Sequence, residues 1–179
     1  YTLRNHIDNL EKLVDFLGLK NITLVVHDWG GAIGMGLAVR RPKLIKRIVL
    51  FNTASFLSSE IPLRIRLCRI PFLGAIAIRH LNLFVKGVLC FGLKRKKKLA
   101  NNVRAGYLAP YDTFTNRIAN LKFVHDIPIE PTVASYSVIH NIENNLKQFK
   151  DRPILIIWAS DDFCFNRNFL IQSHTKNLL

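Results

Sequence analysis

The sequence predicts an α/β fold in which a parallel sheet with flanking helices is interrupted by an inserted helical region. Two β-branched, apolar runs, residues 22–26 and 47–52, lie on either side of a helix-like segment, residues 30–41. A strand, a helix and a strand in this order favour parallel strands joined by a right-handed crossover. A third strand-like run, residues 153–158, comes much later in the chain, so the residues between form an insertion.

An amphipathic helix is predicted before the first strand. Its apolar residues recur at helical spacing with charged residues between them: Ile7, Leu10, Leu13, Val14 and Leu17. Gly18 follows the last of them and is typical of a helix C-cap. The next run, residues 22–26, has the composition of a buried parallel strand.

The helix after the first strand is rich in glycine. Gly30, Gly31, Gly34 and Gly36 all precede Pro42, which ends the pattern in a manner typical of a helix terminus. Each glycine in a helix interior costs up to about 1 kcal/mol. We expect close packing of this helix on the sheet to offset that cost.

The insertion divides the chain into three parts. Residues 1–55 and 149–179 form the first and second parts of the core, and residues 56–148 hold the apolar and basic pieces that predict a helical cap. The chain opens in a helical pattern and closes within another that lacks a capping or stop signal. We therefore interpret the sequence as an internal piece of a longer protein.

The chain is strongly basic, with a formal net charge of +14. Basic residues gather at 40–41, 43–47, 64–69 and 94–98, which predicts a cationic face. No zinc-finger spacing, aromatic RNA-binding signature or stacking platform accompanies these clusters, so nucleic acid is disfavoured as a partner. An anionic membrane surface is the alternative.

The segment from residue 63 to residue 98 is the candidate for membrane contact, as a basic amphipathic patch that lies on the surface. Arg79, His80 and Lys86 make its apolar stretch too polar for an ordinary membrane span. A non-catalytic module that attaches to membranes or assemblies through this patch is the alternative from a different functional class.

The three cysteines, Cys68, Cys90 and Cys164, are odd in number and widely spaced. They predict neither a disulfide framework nor a metal site, and they fit a reducing compartment. We expect a cytoplasmic protein, free or peripheral to the inner face of the membrane, that uses no metal and no cofactor.

The turn at the end of the first strand carries the strongest functional signal. A strand that ends in a sharp turn before a glycine-rich helix holds one side chain above the sheet edge, the geometry called a nucleophile elbow. Here Asp28 is at the apex, with Val26 and Gly30 at the flanking small-residue positions. A carboxylate can displace a leaving group from saturated carbon and form an enzyme ester.

Trp29 follows this candidate nucleophile directly. Its backbone N–H is one of the groups that could stabilise an oxyanion, and its indole adds a further donor. The alternative interpretation is that Asp28 only caps the helix and that the glycines serve helix packing.

A second constellation follows the last predicted strand. Asp161 and Asp162 come directly after residues 153–158, where an acid could orient a histidine across the crevice at the strand ends. Spacing alone does not choose between the two carboxylates. An Asp pair is also ordinary turn chemistry, which is the alternative.

The six histidines lie on predicted helices, in the insertion or beside the nucleophile, and none follows a further strand: His6, His27, His80, His125, His140 and His174. A triad histidine needs a position from which it reaches both the nucleophile and the acid. We therefore interpret these residues as surface or packing groups and expect the catalytic histidine to lie outside this chain.

Two segments of the chain resemble a known family. Residues 24–34, which contain His27-Asp28-Trp29-Gly30-Gly31, resemble the elbow of the haloalkane dehalogenase and epoxide hydrolase branch of the α/β-hydrolase superfamily. Residues 158–165 resemble the family's Trp-Gly-x-x-Asp-x-x-Phe motif, with Ala159 in place of the glycine. Asp followed by Trp is similar to the dehalogenase side of this branch.

The resemblance implies an α/β-hydrolase fold, of which this chain holds a part. It also implies that Asp28 is the nucleophile, that Asp162 is the triad acid and that Trp29 stabilises an oxyanion or leaving group. Asn52 stands after the second strand, where some dehalogenases carry their acid.

Residues 104–112, 116–119 and 123–128 resemble a narrower group, the β-lactone decarboxylases of bacterial long-chain olefin biosynthesis. That resemblance implies alkene-forming loss of carbon dioxide from a hydrophobic, cis-disubstituted β-lactone beneath an apolar cap. It also implies other enzymes of the same pathway as partners.

Two related activities are the alternatives. The first is a haloalkane dehalogenase. The second is an epoxide hydrolase, whose cap normally supplies paired tyrosines; Tyr107, Tyr111 and Tyr136 do not form an evident pair in the sequence.

Overall fold

The structure is a computed structural model that describes residues 1–92 and 99–175, with residues 174 and 175 described by their backbone. The basic run at residues 94–98 lies outside the described residues. The α-helices and strands run in the order α1 Leu3–Phe16, β1 Ile22–Asp28, α2 Trp29–Arg40, β2 Ile45–Thr53, α3 Leu63–Cys68, α4 Leu73–Ala75, α5 Leu83–Phe91, α6 Asn101–Leu108, α7 Ile118–His125, α8 Tyr136–Asn145, β3 Ile154–Ile156 and α9 Arg167–Thr175.

A parallel sheet organises the first of two compact units, which comprises Tyr1–Ser59 and the described residues from Asp126 onward. The strand order is β1-β2-β3, and both pairings are parallel. Ile22 pairs with Ile45 at one end of β1, and Asp28 pairs with Thr53 at the other. The predicted parallel α/β architecture is confirmed, and the carboxyl ends of the three strands meet at one edge.

The core of this unit lies between the sheet and its helices. Alternate strand residues such as Leu24, Val26 and Ile48 are buried. Val25 and Leu155 are exposed on the strands. The prediction of fully buried strands is therefore wrong for this chain, because successive side chains point to opposite faces and only one set is covered.

The predicted helix before the sheet is α1, and it contributes Leu3, Ile7 and Val14 to the interior. Leu13 and Leu17, which the spacing placed on the apolar face, are exposed. A narrower apolar stripe suffices because α1 packs mainly against one neighbour, α2. Gly18 follows with φ of 59°, the left-handed conformation expected after a helix end.

Part of the predicted cationic face is neutralised within the first unit. Arg40 contacts Asp8 at 2.6 Å and Glu11 at 3.0 Å, and Arg41 contacts Glu11 at 3.3 Å and Asp15 at 3.1 Å. These pairs join the end of α2 to α1. The Arg40-Arg41 cluster therefore ties two helices together and is not a bare basic surface.

Close packing of the glycine-rich helix is confirmed at three positions. A Cβ atom on Gly31 would stand 2.7 Å from Thr53 Cβ, and one on Gly34 would stand 2.7 Å from Val26 Cγ1. A Cβ atom on Gly36 would stand 2.7 Å from Ile7 Cγ1. Gly30 has open space around it, so its role is different.

The second compact unit comprises Glu60–His125 and consists of short helices around Ile65, Ile78 and Val85. It is shorter than the predicted cap of residues 56–148. Residues 126–148 belong to the first unit because α8 buries Ile139 and Ile142 in the core there. The sequence pattern of that segment is helical in either position, so it does not indicate the boundary.

Candidate active site

Asp28 stands in a strained backbone conformation at the end of β1. Its φ is 51° and its ψ is −132°, a region that residues with a side chain rarely adopt, and α2 begins at the next residue. Strain of this kind costs on the order of 1–3 kcal/mol and is concentrated at functional sites. The predicted sharp turn from strand to helix is therefore present, with Asp28 at its apex.

The Asp28 carboxylate is bound by the first residue of the helix. Its Oδ1 accepts the backbone N–H of Trp29 at 2.6 Å. An ordinary N-cap has an extended backbone and accepts the N–H of the second or third helical residue instead. The geometry at Asp28 thus differs from that of a simple helix cap in both respects.

Thr53 fixes this turn from the neighbouring strand. Its Oγ1 donates a hydrogen bond to the Asp28 carbonyl oxygen at 2.6 Å, and the Thr53 side chain is buried. The hydroxyl occupies the space in which Gly31 lacks a side chain. Sequence reasoning missed Thr53, because its role depends on the register that pairs it with Asp28.

Burial raises the pKa of the Asp28 carboxyl above its usual range, and the negative charge of Asp162 adds to this shift. The Trp29 N–H and the charge of His27 act in the opposite direction. Asp28 keeps solvent access in the described chain, and the protein around it removes enough water to make ionisation of the carboxyl harder than in a free aspartate.

The loop after β3 holds the second carboxylate in place. Asp162 Oδ1 accepts the backbone N–H groups of Cys164 at 2.8 Å and Phe165 at 2.7 Å. Trp158 Nε1 donates to the Phe165 and Asn166 carbonyl oxygens at 3.1 and 3.2 Å. The loop that resembled the family motif is therefore an ordered turn with Asp162 as its hydrogen-bonded acid.

The two adjacent carboxylates that spacing could not separate differ in the structure. Asp161 is exposed, whereas Asp162 is half-buried and is the one that acts electrostatically on Asp28. The structure thus brings Asp28 and Asp162 to the same sheet edge, as the sequence predicts for groups that follow parallel strands.

The charges of Asp28 and Asp162 both act on the thiol of Cys164. Burial, together with the charges of Asp28 and Asp162, raises the pKa of Cys164 to about 12. A thiol with such a pKa stays protonated at neutral pH and is a poor nucleophile. The Cys164 thiol is therefore a poor candidate for the nucleophile, and Asp28 remains the candidate at this site.

Trp29 and the histidines occupy different surroundings. The Trp29 ring is half-buried and packs against the core of the first unit, while its backbone N–H contacts Asp28. His6 lies in α1 and His140 in α8, both on helices as predicted. His27 is exposed beside the nucleophile.

The sequence of this chain is similar to that of known α/β-hydrolase-fold proteins. A sequence profile described as "alpha/beta hydrolase fold" matches residues 1–71. The chain is 43% identical over 176 residues to a cis-3-alkyl-4-alkyloxetan-2-one decarboxylase from Shewanella oneidensis, covering 96% of this chain and 55% of that protein. It is 41% identical over 174 residues to the protein of the same name from Xanthomonas campestris, covering 95% and 57%.

The fold is similar to that of a solved haloalkane dehalogenase. A variant of the enzyme DatA from Agrobacterium tumefaciens superposes with a TM-score of 0.81 at 26% identity, covering 98% of this chain and 62% of that one. The chain spans about half the length of the curated relatives it matches.

Proposed function

Because this chain belongs to the α/β-hydrolase superfamily and has its fold, we propose that it is part of a decarboxylase of cis-3,4-dialkyl-oxetan-2-ones with Asp28 as the nucleophile. The observation that carries the proposal is the strained carboxylate at the elbow, within a chain 43% identical to a protein named for that reaction. Asp28→Asn in the complete protein tests the proposal, since it should abolish most of the release of alkene and carbon dioxide from the lactone.

The proposed chemistry balances without any further reactant. The Asp28 carboxylate attacks C4, the saturated ring carbon that is bonded to the ring oxygen. A bond forms between Asp28 and C4, and the bond between C4 and the ring oxygen breaks. The released substrate carboxylate then leaves as carbon dioxide. Its carbon–carbon bonding electrons form the alkene and expel Asp28, which regenerates the free carboxylate.

Asp162 and Trp29 have supporting roles in this proposal. Asp162 is the acid that orients the catalytic histidine, a role that its two backbone hydrogen bonds support by fixing one oxygen and leaving the other available. Trp29 stabilises negative charge that develops on the substrate carboxylate. The Trp29 contact with Asp28 supports this role, since it places a donor next to the reacting oxygen atoms.

Haloalkane dehalogenation is the second candidate, and the similarity to DatA favours it. The same Asp28 would displace a halide, but the resulting ester would have to be opened by water. Halide release from chloroalkanes or bromoalkanes separates the two activities. Lactone turnover to an alkene with no halide release would support the decarboxylase.

The pH dependence of the rate follows from the raised pKa of Asp28. The nucleophile must be ionised, so we expect kcat to fall as the pH is lowered through that pKa, at a higher pH than for an ordinary aspartate. A pH–rate profile of the complete protein measures this limb. A rate that stays constant down to about pH 4, near the ordinary pKa of Asp, would contradict the role of Asp28 as an ionised nucleophile.

We further propose that α3, α4 and α5 of the second unit contact the surface of an anionic membrane. Residues 61–92 contain five Lys or Arg and no Asp or Glu. Leu63, Phe72, Leu73 and Phe91 are exposed. Apolar side chains next to cationic ones are the features with which surface helices bind anionic lipid.

Two of the cations in these helices make contacts with uncharged groups. The Arg64 guanidinium lies 4.4 Å from the centre of the Phe91 ring, and Lys86 Nζ donates to the Leu81 carbonyl oxygen at 3.1 Å. Neither partner is an acidic group, so these two contacts do not form ion pairs. Within the described ranges no single helix is long and apolar enough to cross a membrane; the bent pair Leu73–His80 and Leu83–Phe91 has that length and composition only when the two helices are taken together.

Phe72→Ser should lower the affinity of the complete protein for vesicles of phosphatidylcholine and phosphatidylglycerol by about tenfold, because a large exposed ring no longer enters the lipid. Phe72 is 83% exposed, and Phe16 of α1 is a matched control at 86%. Phe16→Ser should leave binding unchanged, since Phe16 belongs to α1 and not to the helices proposed to contact lipid. Equal binding to pure phosphatidylcholine vesicles, or no vesicle binding at all, would refute the contact.

A further inference from the structure

Asn52, at the carboxyl end of β2, is a buried amide whose side chain makes three hydrogen bonds to backbone groups. Only 5% of its surface is exposed. Its Oδ1 accepts the Ala159 backbone N–H at 2.9 Å, and its Nδ2 donates to the carbonyl oxygens of Ala159 and Phe165, each at 2.9 Å. A single side chain therefore binds both ends of the loop that follows β3.

Those two ends enclose the candidate acid. Asp162 lies between Ala159 and Phe165; its N–H donates to the Ala159 carbonyl oxygen at 3.2 Å, and its Oδ1 accepts the Phe165 N–H at 2.7 Å. The two residues that Asn52 binds are thus the same two that hold Asp162. Movement of either end would move the carboxylate, because backbone and side chain of Asp162 are both attached to them.

The next residue of β2, Thr53, holds the candidate nucleophile in a similar way. Thr53 donates to the Asp28 carbonyl oxygen at 2.6 Å. Adjacent residues of the central strand therefore hold the two candidate catalytic carboxylates, Asp28 at the end of β1 and Asp162 in the loop after β3. The relative position of Asp28 and Asp162 is set by consecutive residues of one rigid strand, with little freedom between them.

We propose that Asn52 is a positioning residue, which holds the Asp162 loop against the end of β2 and so fixes Asp162 relative to Asp28. This inference rests on the proposed function, in that it takes Asp162 as the acid of the reaction. Asn52 itself lacks a titratable group, and its polar atoms are engaged with the loop, so it acts through Asp162 and not on the substrate.

A double-mutant cycle in the complete protein tests this inference. Asn52→Leu keeps most of the volume and removes all three hydrogen bonds. We expect kcat for the β-lactone to fall about 10- to 100-fold with little change in KM, since a catalytic group displaced by about 1 Å loses rate and not binding. In the Asp162→Asn background, Asn52→Leu should cost almost nothing further, because the group through which it acts is already lost.

Ser135→Ala is the matched control for a purely structural loss. Ser135 is buried in the same unit and donates a hydrogen bond to Asp126 Oδ2 at 2.6 Å, away from the Asp162 loop. The Ser135→Ala substitution should lower thermal stability and leave kcat unchanged. Asn52→Ser, which keeps a donor and an acceptor, should fold and show a smaller loss if Asn52→Leu does not fold.

The outcomes separate this inference from the proposed function. Suppose that Asp162→Asn lowers kcat and that Asn52→Leu lowers kcat by the same factor in the Asp162→Asn background as in the wild type. The two residues then act independently, and the positioning role is overturned. If Asp162→Asn leaves kcat unchanged, the assignment of Asp162 as the acid is wrong and the positioning role falls with it. A non-additive pair supports both.

Discussion

Asp28→Asn should reduce alkene formation by the complete protein by at least about 10³-fold, the scale on which loss of a nucleophile acts in enzymes with covalent catalysis. The amide is nearly isosteric with the carboxylate but cannot form the enzyme ester. Asparagine has nearly the same size and can keep the side-chain oxygen that accepts the Trp29 N–H, so the elbow should persist. Carbon dioxide and alkene released from a cis-dialkyl β-lactone measure the effect.

Stability measurements separate this loss from unfolding. The raised pKa of Asp28 means that the folded state favours the neutral acid, so its stabilising contribution is present at low pH and is lost as the pH rises through that pKa. The neutral amide introduced by Asp28→Asn avoids the loss, and the variant should melt at the same temperature or higher at neutral pH. Asp161→Asn, in the exposed neighbour of Asp162, is the control that should retain activity.

Normal alkene release by the Asp28→Asn protein would show that the carboxylate does not take part in the reaction. The elbow would then serve to cap and pack α2, as the alternative interpretation of this motif holds.

Gly31→Ala should destabilise the protein by about 2–4 kcal/mol, the sum of an overpacking cost and a lost hydrogen bond. The new Cβ would stand 2.7 Å from Thr53 Cβ and still closer to Thr53 Oγ1, so the Thr53 side chain must move. Overpacking of this kind costs about 1–3 kcal/mol, and the hydrogen bond from Thr53 to Asp28 adds about 1 kcal/mol when it breaks. A decrease in melting temperature of roughly 4–16 °C is expected for a chain of this size.

Gly30→Ala provides the matched control, one position earlier in the same helix. A Cβ atom on Gly30 meets no atom within 4 Å, so the substitution should be neutral or slightly stabilising because alanine favours helix. Equal melting temperatures for the two variants would mean that the close contact between Gly31 and Thr53 does not limit stability.

Much of the fold can be predicted because the pattern is local. The runs that became β1 and β2, the glycine-rich α2 between them and the parallel arrangement all follow from apolar spacing and from the order of the elements. Asp28 is predictable for the same reason, since the elbow is a contiguous motif. The boundary of the second unit is not, because α8 has an amphipathic pattern that fits either unit, and only its burial against α2 decides.

The contacts that complete the site depend on register and could not be predicted. In the sequence, Asn52 is notable only because it stands where some dehalogenases carry their acid, and Thr53 matches no motif. Their functions arise from the pairing of Thr53 with Asp28 and from the approach of the loop after β3 to the end of β2. These are distances between residues far apart in sequence, which composition and periodicity do not encode.

The central claim is that this chain belongs to an enzyme that converts a β-lactone to an alkene. The direct measurement is product analysis after the complete protein is mixed with a cis-3,4-dialkyl-oxetan-2-one. We expect one alkene and one carbon dioxide for each lactone consumed, and no halide from a chloroalkane under the same conditions. A β-hydroxy acid as the product, or halide release without lactone turnover, would contradict it.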